Sequence, residues 1–492
     1  MSLILAIDQS TSGTKAVLFD GEGTVLDKAV LHHRQIYPRP GWLEHDAEEI
    51  WKNVLAAIGE IARRNRSKLN KLAALSITNQ RETVVAFDRK TGRPLYNALV
   101  WQDRRGDALC SELARQGHEN RVRRKTGLKI DAYFSASKIR WLVENKPSIA
   151  ARLKSGDAVI GTIDTYLIHR LTGGKVFATD FTNASRTLLF DIGRLKWDAN
   201  LCALFKVPMC ALPEVRESSD WFGETDAKGN LPKRVPIVGV MGDSQASLFA
   251  QRCYKPGSVK ATFGTGTSVM LNIGDKLRIP HKGTVTALAW VLHGKPTYAF
   301  EGIINFSAAT IEWLRNQLGM IQSAGEVEVM AGQVTDNGGV YLVPAFAGLG
   351  APHWAPAARA AFLGMTAFTQ REHFVRAAQE SIAYQIRDVL DMMQAEADVP
   401  LRTLHADGKP SRNGFLMQFT ADVTRTELKV AHVAESSAWG AAMNGLLGLK
   451  ICRSLKELAT LPHGQQTFKP RMKPAIAKQY HDGWLAAVKR VL

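Results

Sequence analysis

The chain has 492 residues, of which 45% are hydrophobic and 22% are charged, and this is the composition of a soluble globular protein. At this length we expect two large domains, and no uninterrupted apolar run is long enough to span a bilayer. The five cysteines are odd in number and include no CxxC pair, which argues against a disulfide framework and against a zinc site. We therefore expect a cytoplasmic protein without a secretory signal.

The net charge of +17 raises the question of nucleic-acid binding, because a strongly basic chain can neutralise phosphates. The two basic clusters, at 63–66 and 121–125, lack interleaved aromatic residues and lie where helices are predicted to end. Cations stabilise helix C-termini, so we interpret both clusters as solvated helix ends. We expect no nucleic-acid partner.

The first part of the chain predicts strands, followed by an alternation of helix and strand. Residues 3–8 and 14–20 are apolar strands on either side of a small polar turn, and a third strand follows within 21–31. Asp46 and Glu49 have the spacing of a capping box, and the helix after them has an apolar face of Ile50, Trp51, Val54, Leu55, Ile58 and Ile61. Residues 71–78 form a nearly continuous apolar strand, as expected for one buried on both faces. This order predicts an α/β domain with a mixed sheet.

A similar pattern begins again near residue 236. Residues 236–245 predict a strand that leads into an acid-containing turn, 247–254 predict the start of a helix, and 258–274 predict a glycine-centred hairpin. Each half thus contains an apolar strand, a small-residue turn and a second apolar strand, which favours a duplicated two-lobe architecture with a cleft between the lobes. We place the boundary after Gly242, which gives domains 1–242 and 243–492.

Two small-residue turns, at 10–14 and 264–268, are candidate phosphate sites. The Walker A sequence is absent, as is a protein-kinase loop with its HRD and DFG motifs. Glycine, serine and threonine let backbone N–H groups approach an anion, although hairpin turns use the same residues for conformational reasons. Asp8 ends a strand beside the first turn and is either a water-mediated Mg²⁺ partner or a plain turn aspartate. Asp243 follows a strand and a glycine, a pattern that on its own indicates a turn or N-cap residue.

Long sequence blocks spread over nearly the whole chain resemble the FGGY carbohydrate kinases. The segment YFSASKIRWLVEN at 133–145 resembles a signature of that family. Further blocks resemble its glycerol kinase group: IDQST at 7–11, YPRPGWLEHD at 37–46, ITNQRET at 77–83, TDFTNASRTLLF at 179–190, LPEVRESS at 212–219 and VPAFAGLGAPHW at 343–354. The resemblance implies an α/β fold of two ribonuclease H-like domains of the actin and hexokinase type, with ATP and substrate meeting in the cleft between them.

Carried over position by position, the resemblance also implies site residues. It makes Asp243 the base that takes the proton from the attacking hydroxyl and Asp8 a magnesium-associated residue acting through water. It implies an acceptor pocket of Arg81, Glu82, Trp101, Tyr133, Asp243 and Ser244. It implies nucleotide and phosphate contacts by Thr11, Ser12, Lys15, Thr265, Gly266, Ala308, Gly408, Lys409 and Asn413.

The chemistry of the implied pocket is consistent with a polyol ligand. Glu82 would accept hydrogen bonds from vicinal hydroxyls, Arg81 would donate to them, and Trp101 would cover the apolar C–H face. Without the resemblance, Arg81 and Glu82 would be interpreted as an exposed ion pair, and Trp101 and Tyr133 as core aromatics.

The chain departs from the glycerol kinase pattern at four places. Ser244 replaces a glutamine and Ser268 replaces a phenylalanine that closes over glycerol, which predicts a roomier and more polar pocket. The second turn, GTGTS, is also closer to that of the xylulose kinases. Lys409 replaces a glycine and would either clash with the nucleotide or reach a phosphate, so we expect altered nucleotide affinity with activity retained. Residues 226–236 lack the glycine–arginine loop through which some bacterial glycerol kinases bind a sugar bisphosphate, so we do not expect control by that route.

Together these features predict a kinase that uses ATP and Mg²⁺ to phosphorylate a terminal hydroxyl of glycerol, giving glycerol 3-phosphate, and that forms a homo-oligomer, a dimer or a tetramer. One alternative is a kinase for a larger polyol or a ketose, such as erythritol or xylulose. A second alternative is a non-catalytic ATP-binding sensor, suggested by Lys409. Asp8, Asp243 and both phosphate turns argue against the sensor.

Overall fold

The first large sheet of the molecule is built from the N-terminal half of the chain. The structure is a computed structural model and describes residues 2–281, 283–431 and 435–492. The six strands, in spatial order, are Trp221–Thr225, Val235–Gly242, Leu72–Asn79, Leu3–Gln9, Gly13–Asp20 and Val25–His32. The first three strands of the chain pair in an antiparallel manner, and Leu72–Asn79 and Val235–Gly242 extend the sheet in parallel. The prediction of a mixed sheet is confirmed.

The second large sheet repeats this arrangement in the C-terminal half. Its seven strands, in spatial order, are Val285–Leu292, Lys295–Ile304, Thr267–Gly274, Ser258–Phe263, Thr403–Asp407, Leu428–Ala431 and Gln465–Phe468. Its central part again has three antiparallel strands followed by two parallel ones. The predicted hairpin at 258–274 and the predicted duplication of a ribonuclease H-like domain are therefore confirmed.

Smaller sheets and short pairs of strands lie outside the two large sheets. One four-stranded sheet consists of Glu44–His45, Ala98–Leu99, Val84–Asp88 and Ala158–Thr162. The two-stranded pairs are Phe190–Asp191 with Lys196–Trp197, Glu214–Arg216 with Ala178–Asp180, and Tyr341–Val343 with Ala361–Leu363.

Helices cover the faces of the two large sheets. In chain order they are Ala47–Arg64, Asp107–Arg115, Glu119–Thr126, Ser135–Asn145, Pro147–Ser155, Ile163–Leu171, Phe181–Ala184, Ala199–Leu204, Asp243–Ala250, Ala308–Asn316, Glu326–Gly332, Arg371–Ala397, Gly414–Thr424, Ser436–Gly448, Leu455–Leu458 and Pro474–Lys489. Short 3₁₀ turns lie at Leu69–Lys71, Met209–Ala211 and Lys409–Arg412. Within the described ranges, every helix is too short or too polar to cross a membrane.

Strand Leu3–Gln9 shows how the apolar residues build the core. Leu5 and Ile7 belong to a cluster that includes helix Ala47–Arg64, whereas Ile4 and Ala6 point the other way into a cluster shared with the C-terminal half. This alternation follows from the two-residue period of a strand. Because both faces are buried, the strand is apolar at nearly every position. The shared cluster joins the two halves on one side, and the cleft opens elsewhere between them.

Helix Ala47–Arg64 follows the prediction except at its cap. The Asp46 carboxylate accepts a hydrogen bond from the backbone N–H of Glu48 at 2.9 Å, as an N-cap should. The prediction of a full capping box is wrong, because the Glu49 carboxylate accepts from the backbone N–H and Nε of Arg34 at 3.3 and 3.4 Å. The predicted apolar face is buried, apart from a partly buried Leu55.

The two basic clusters lie at helix ends, as predicted. Arg63 and Arg64 occupy the last turn of helix Ala47–Arg64. Arg123, Arg124 and Lys125 occupy the last turn of helix Glu119–Thr126. These positions are those where the helix dipole favours cations.

The prediction of a helix start within 247–254 is wrong by several residues. The helix runs from Asp243 to Ala250 and begins directly where the strand ends, with Gly242 as its N-cap. Arg252 then adopts a left-handed backbone conformation, with φ of 56°, and the chain leaves the helix. Asp243 is consequently the first helical residue, at the end of the helix where the dipole favours a negative charge.

Asp164 provides a test of how buried carboxyl groups set the pH dependence of stability. Its carboxylate accepts hydrogen bonds from the hydroxyls of Thr162 and Thr179 at 2.5 and 2.6 Å. Burial, reinforced by the charge of Asp180, raises the pKa of Asp164 from 3.8 to about 7. The folded state therefore holds this proton more tightly than the unfolded chain. Its contribution to stability is complete below the unfolded pKa and is lost as the pH rises through about 7.

We expect Asp164→Asn to flatten the decline of the Tm between about pH 4 and pH 7, because the substituted side chain no longer titrates. Thermal unfolding across this range measures the slope. The exposed Asp275, changed to asparagine, is the control and should leave the slope as in the wild type. An identical slope in the wild type and in Asp164→Asn would contradict the assignment.

Candidate active site

A cavity of about 750 Å³ lies in the cleft and is lined by residues of both halves. It brings together nine of the residues predicted from the sequence: Thr11, Arg81, Glu82, Trp101, Tyr133, Asp243, Ser244, Thr265 and Gly266. The other predicted residues lie outside its lining: Asp8, Ser12, Lys15, Ala308, Gly408, Lys409 and Asn413. The predicted acceptor residues and parts of both predicted phosphate turns thus share one space.

Asp243 faces this cavity from the start of its helix. The backbone N–H of Ser244 donates to Oδ1 of Asp243 at 2.6 Å, and Nε of Arg81 lies 3.3 Å from the same oxygen. The Asp243 side chain is still 37% exposed. The preceding residue is fixed, because the Gly242 N–H donates to the Thr182 hydroxyl at 2.8 Å. The carboxylate is therefore held in place and remains accessible to a group in the cavity.

A buried network of charges surrounds Arg81 and Glu82. Nη2 of Arg81 donates to Glu301 Oε1 at 2.8 Å, and Nε of Arg186 donates to Glu82 Oε1 at 2.6 Å. Nη1 of Arg186 lies 2.7 Å from Oε2 of Glu301. Arg81 and Glu82 are 5% and 1% exposed, so the alternative of an exposed surface pair does not apply.

The charges in this network are set by competition between burial and pairing. Burial alone would raise the pKa of Glu301, but the guanidinium groups of Arg186 and Arg81 outweigh it and hold the pKa at about 2. For Glu82 the balance is reversed, because burial raises its pKa despite Arg81 and Arg186. Glu82 also has a positive φ of 62°, a strained conformation for a residue with a side chain and one that concentrates at functional sites. Sequence reasoning missed Arg186 and Glu301.

Two aromatic residues form the wall beside this network. The ring centroids of Trp101 and Tyr133 are 5.2 Å apart, and both side chains are partly exposed to the cavity. Nε1 of Trp101 donates to the Thr11 hydroxyl at 2.9 Å, which ties this wall to the first small-residue turn. Burial raises the pKa of Tyr133, so its phenol stays protonated. These residues are cavity wall rather than core.

The first small-residue turn is closed by its own backbone. The Ser10 N–H donates to the Gly13 carbonyl at 2.9 Å, and the Thr11 carbonyl accepts from the side-chain amide of Gln35 at 2.9 Å. Ser12 is exposed at the tip of the turn. The turn therefore presents Thr11 to the cavity and Ser12 to solvent.

The second small-residue turn is attached to the start of helix Ala308–Asn316. The carbonyls of Gly264 and Thr265 accept from the N–H groups of Ala308 and Ala309 at 3.0 and 3.2 Å. The N–H of Ala308 is thus engaged with this turn. A Cβ on Gly266 would lie 2.4 Å from the Ile304 carbonyl oxygen, so only glycine fits this close approach.

Asp8 lies behind the first turn and is paired with Lys15. Nζ of Lys15 is 3.3 Å from Asp8 Oδ2 and 2.7 Å from Glu435 Oε2, a residue that sequence reasoning also missed. Burial raises the pKa of Asp8 to about 6, with Lys15 opposing this shift and Asp243 adding to it. A nearby cation would offset the free-energy cost of burying the charged form of this carboxylate.

The donor set fits a magnesium ion that is carried mainly by phosphates. Across residues 2–281, 283–431 and 435–492, there is no group of three or more His, Cys, Asp or Glu side chains that could hold a metal ion. Mg²⁺ commonly binds through one or two carboxylates, several waters and substrate phosphates. The buried carboxylate of Asp8, beside the first small-residue turn, satisfies that limited requirement.

Lys409 and Asn413, which are predicted to contact the nucleotide, follow the strand Thr403–Asp407 of the second large sheet. Lys409 is exposed and begins the 3₁₀ turn Lys409–Arg412. Asn413 caps the next helix by accepting from the Leu416 N–H at 2.9 Å, and its amide donates to Gln379 at 2.8 Å. The Asn413 amide therefore has structural partners of its own.

Ser244 and Ser268, the two positions that depart from the pattern near the acceptor, both line the cavity. The buried Ser268 hydroxyl makes no hydrogen bond with any residue that the structure describes. The oxygen of this hydroxyl has almost no accessible surface, so it does not itself face the cavity. The two serines thus belong to the cavity wall at the positions where the sequence departs from the pattern.

Comparison with known proteins identifies relatives along the whole chain. The N-terminal domain of the FGGY family of carbohydrate kinases matches residues 3–250, and its C-terminal domain matches residues 259–449. The chain is 45% identical over 489 residues to glycerol kinase 1 of Thermotoga maritima, covering 99% of each chain. It is 43% identical over 489 residues to a glycerol kinase of Desulfitobacterium hafniense, again covering 99% of each.

Solved structures resemble the whole fold. Plasmodium falciparum glycerol kinase with ADP superposes with a TM-score of 0.95 at 37% identity, covering 100% of this chain and 98% of that one. A ligand-bound xylulose kinase from Lactobacillus acidophilus superposes with a TM-score of 0.89 at 20% identity, covering 99% and 97%. The second likeness concerns the fold alone.

Proposed function

The chain belongs to the FGGY family of carbohydrate kinases, and on that premise we propose that it transfers the γ-phosphoryl group of ATP to a terminal hydroxyl of glycerol. The observation that carries the proposal is the position of Asp243, which faces a cavity shared by the acceptor residues and the two phosphate turns. The full-length similarity to glycerol kinases supports glycerol as the acceptor.

In the proposed reaction Asp243 acts as the general base. The acceptor oxygen attacks the γ-phosphorus, its proton passes to the Asp243 carboxylate, and the bond from the γ-phosphorus to the bridging oxygen breaks to release ADP. The Ser244 N–H, which donates to Oδ1 of Asp243, orients the carboxylate, and Arg81, 3.3 Å from the same oxygen, supplies a positive charge beside it. Glu82 accepts hydrogen bonds from the acceptor hydroxyls, Arg81 donates to them, and Trp101 covers the C–H face.

On the nucleotide side we assign the phosphates to the two small-residue turns. Thr11, Ser12, Thr265 and Gly266 contribute from the turns, with Lys15 as a nearby cation. Ala308, Gly408, Lys409 and Asn413 are assigned to the remainder of the nucleotide. A bound Mg²⁺ would offset the phosphate charge, with Asp8 as its water-mediated protein partner. The homo-oligomeric state, the cytoplasmic location and the domain boundary after Gly242 stay predictions from the sequence.

A larger polyol or a ketose is the second candidate acceptor. The observation that favours it is the presence of two short side chains, Ser244 and Ser268, in the cavity lining. Short side chains at these two positions leave room for a longer acceptor. Loss of one apolar wall costs about 1–3 kcal/mol of discrimination, so the preference for glycerol would be reduced but need not be reversed.

Acceptor-dependent ADP release from a panel of glycerol, erythritol and xylulose tests the proposal. We expect the highest kcat/KM with glycerol. In the variant Ser268→Phe, glycerol should gain about tenfold relative to xylulose, because an apolar wall is restored. A kcat/KM for glycerol far below that for the tetritol or the pentulose would overturn glycerol as the substrate. Tight nucleotide binding without acceptor-dependent ADP formation would instead support a non-catalytic sensor.

A further inference from the structure

Glu301 is a buried acid in an otherwise apolar stretch of strand Lys295–Ile304, at the edge of the cavity. We propose that it is a positioning residue, which orients the acceptor-binding side chains Arg81 and Glu82 from the opposite half of the molecule. This inference rests on the proposed function, since it assigns Glu301 a task in the acceptor pocket.

The two oxygens of Glu301 are divided between two arginines. Oε1 accepts from Nη2 of Arg81 at 2.8 Å, and Oε2 lies 2.7 Å from Nη1 of Arg186. Each arginine turns its Nε to a second carboxylate in the pocket: Arg81 to Asp243 at 3.3 Å and Arg186 to Glu82 at 2.6 Å. Glu301 therefore bridges the two arginines. Arg81 pairs with the base Asp243 and has its Nε 3.9 Å from Glu82, whereas Arg186 donates to Glu82 directly.

This arrangement leaves the two outer carboxylates only partly engaged by their arginines. A guanidinium group has five N–H donors and tends to bind a carboxylate through two parallel hydrogen bonds. Because Glu301 takes Nη2 of Arg81, and Gln245 accepts from Nη1 at 3.2 Å, Arg81 approaches Asp243 through Nε. Without the charge of Glu301, Arg81 would be free to rotate onto Asp243 and occupy oxygens that the acceptor proton needs.

The same reasoning applies to Glu82. Nη1 of Arg186 is ion-paired with Oε2 of Glu301, and Arg186 reaches Glu82 through Nε alone. Released from Glu301, Arg186 would bind both oxygens of Glu82 and compete with the acceptor hydroxyls. Glu301 thus keeps the carboxylates of Asp243 and Glu82 available to the substrate. Loss of Glu301 should therefore weaken glycerol binding more than ATP binding.

The network also depends on the relative position of the two halves. Arg81 and Arg186 belong to the N-terminal half, whereas Glu301 lies on a strand of the C-terminal sheet. The geometry of the acceptor pocket is therefore complete only when the second half approaches. In this structure the two halves are close enough for that, because Glu301 lies 2.8 Å from Arg81 and 2.7 Å from Arg186.

The test compares Glu301→Gln with Glu380→Gln in steady-state kinetics on the full-length enzyme. Glu380 is a matched control, because it is equally buried in the same half and pairs with Arg376 at 2.8 Å, but lies outside the cavity lining. For Glu301→Gln we expect the KM for glycerol to rise about 10–100-fold, as loss of hydrogen bonds to charged groups predicts, with the KM for ATP within about twofold. Glu301→Asp, which keeps the charge at a shorter reach, should give an intermediate KM for glycerol.

Binding is measured separately from turnover. At one fixed glycerol concentration the rise in Tm should be smaller for Glu301→Gln than for the wild type and Glu380→Gln, while ATP should raise the Tm of all three to the same extent. The inference is overturned if Glu301→Gln leaves the KM for glycerol unchanged, raises both KM values equally, or behaves like Glu380→Gln. Should Glu301→Gln not fold, a wild-type KM for glycerol in Glu301→Asp overturns it. If the wild type phosphorylates no acceptor in the panel, the proposed function itself fails.

Discussion

Replacement of Asp243 by asparagine is expected to lower kcat by about 10²–10⁴-fold, the range that a positioned general base contributes. Asparagine keeps the size of the side chain and can accept the Ser244 N–H through its oxygen, so the start of the helix should persist. What it lacks is a basic oxygen for the proton of the acceptor. Glycerol and nucleotide should still bind, since the charge network around Arg81 retains Glu301 and Gln245 as partners.

Asp107 offers a matched control for this substitution. It is also the first residue of a helix after an N-cap glycine, and it pairs with Arg104 at 2.9 Å, but it does not line the cavity. Asp107→Asn should therefore retain turnover. Single-turnover ADP formation separates chemistry from binding in both variants. Turnover near that of the wild type in Asp243→Asn would end the assignment of Asp243 as the base.

A methyl group on Gly266 is expected to lower kcat/KM for ATP by about 100-fold, the effect of misplacing a reacting group by about 1 Å. The added Cβ would meet the carbonyl oxygens of Ile304 and Asn305 at 2.4 and 3.0 Å. These are backbone atoms, and they cannot rotate away as a flexible side chain would. The second phosphate turn must therefore move, and its hydrogen bonds with Ala308 and Ala309 should be disrupted.

The KM for ATP should rise more than the KM for glycerol in Gly266→Ala, because Trp101 and Tyr133 lie on the other half of the molecule and, of the acceptor wall, only Ser268 belongs to the displaced turn. Glycerol binding and the KM for ATP, measured side by side, test this separation. Gly332→Ala is the control for the same chemical change, since a Cβ there meets no atom within 4 Å. If Gly266→Ala had the ATP kinetics of the wild type, the second turn would not be a phosphate site.

Local sequence patterns predicted the strands and the repeated sheet because these features depend on the alternation of apolar residues within single segments. For the same reason, local patterns predict the start of the helix Asp243–Ala250 several residues too late. Aspartate and serine favour turns and caps by their local hydrogen bonding, and only the strand that delivers Gly242 to the cleft makes Asp243 the first helical residue.

The charge network could not be predicted from local patterns, because its members are far apart in sequence. Arg81, Arg186 and Glu301 come from three separate segments and meet only in the cleft. A signal was nevertheless present, since Glu301 is a single acid within the apolar stretch YAFEGII, and a buried charge requires a partner. The sequence does not identify that partner, whereas the distances in the structure identify Arg81 and Arg186.

The hydrogen bond from the indole of Trp101 to the hydroxyl of Thr11 has a thermodynamic consequence. It joins the wall proposed for the acceptor to the turn proposed for the phosphates, so a ligand that shifts the indole also changes the hydroxyl that a phosphate would meet. The two substrates then do not bind independently, and the coupling free energy between them is the same in both directions. An enzyme that has already bound its acceptor therefore has, through this one contact, a different affinity for ATP from that of the free enzyme.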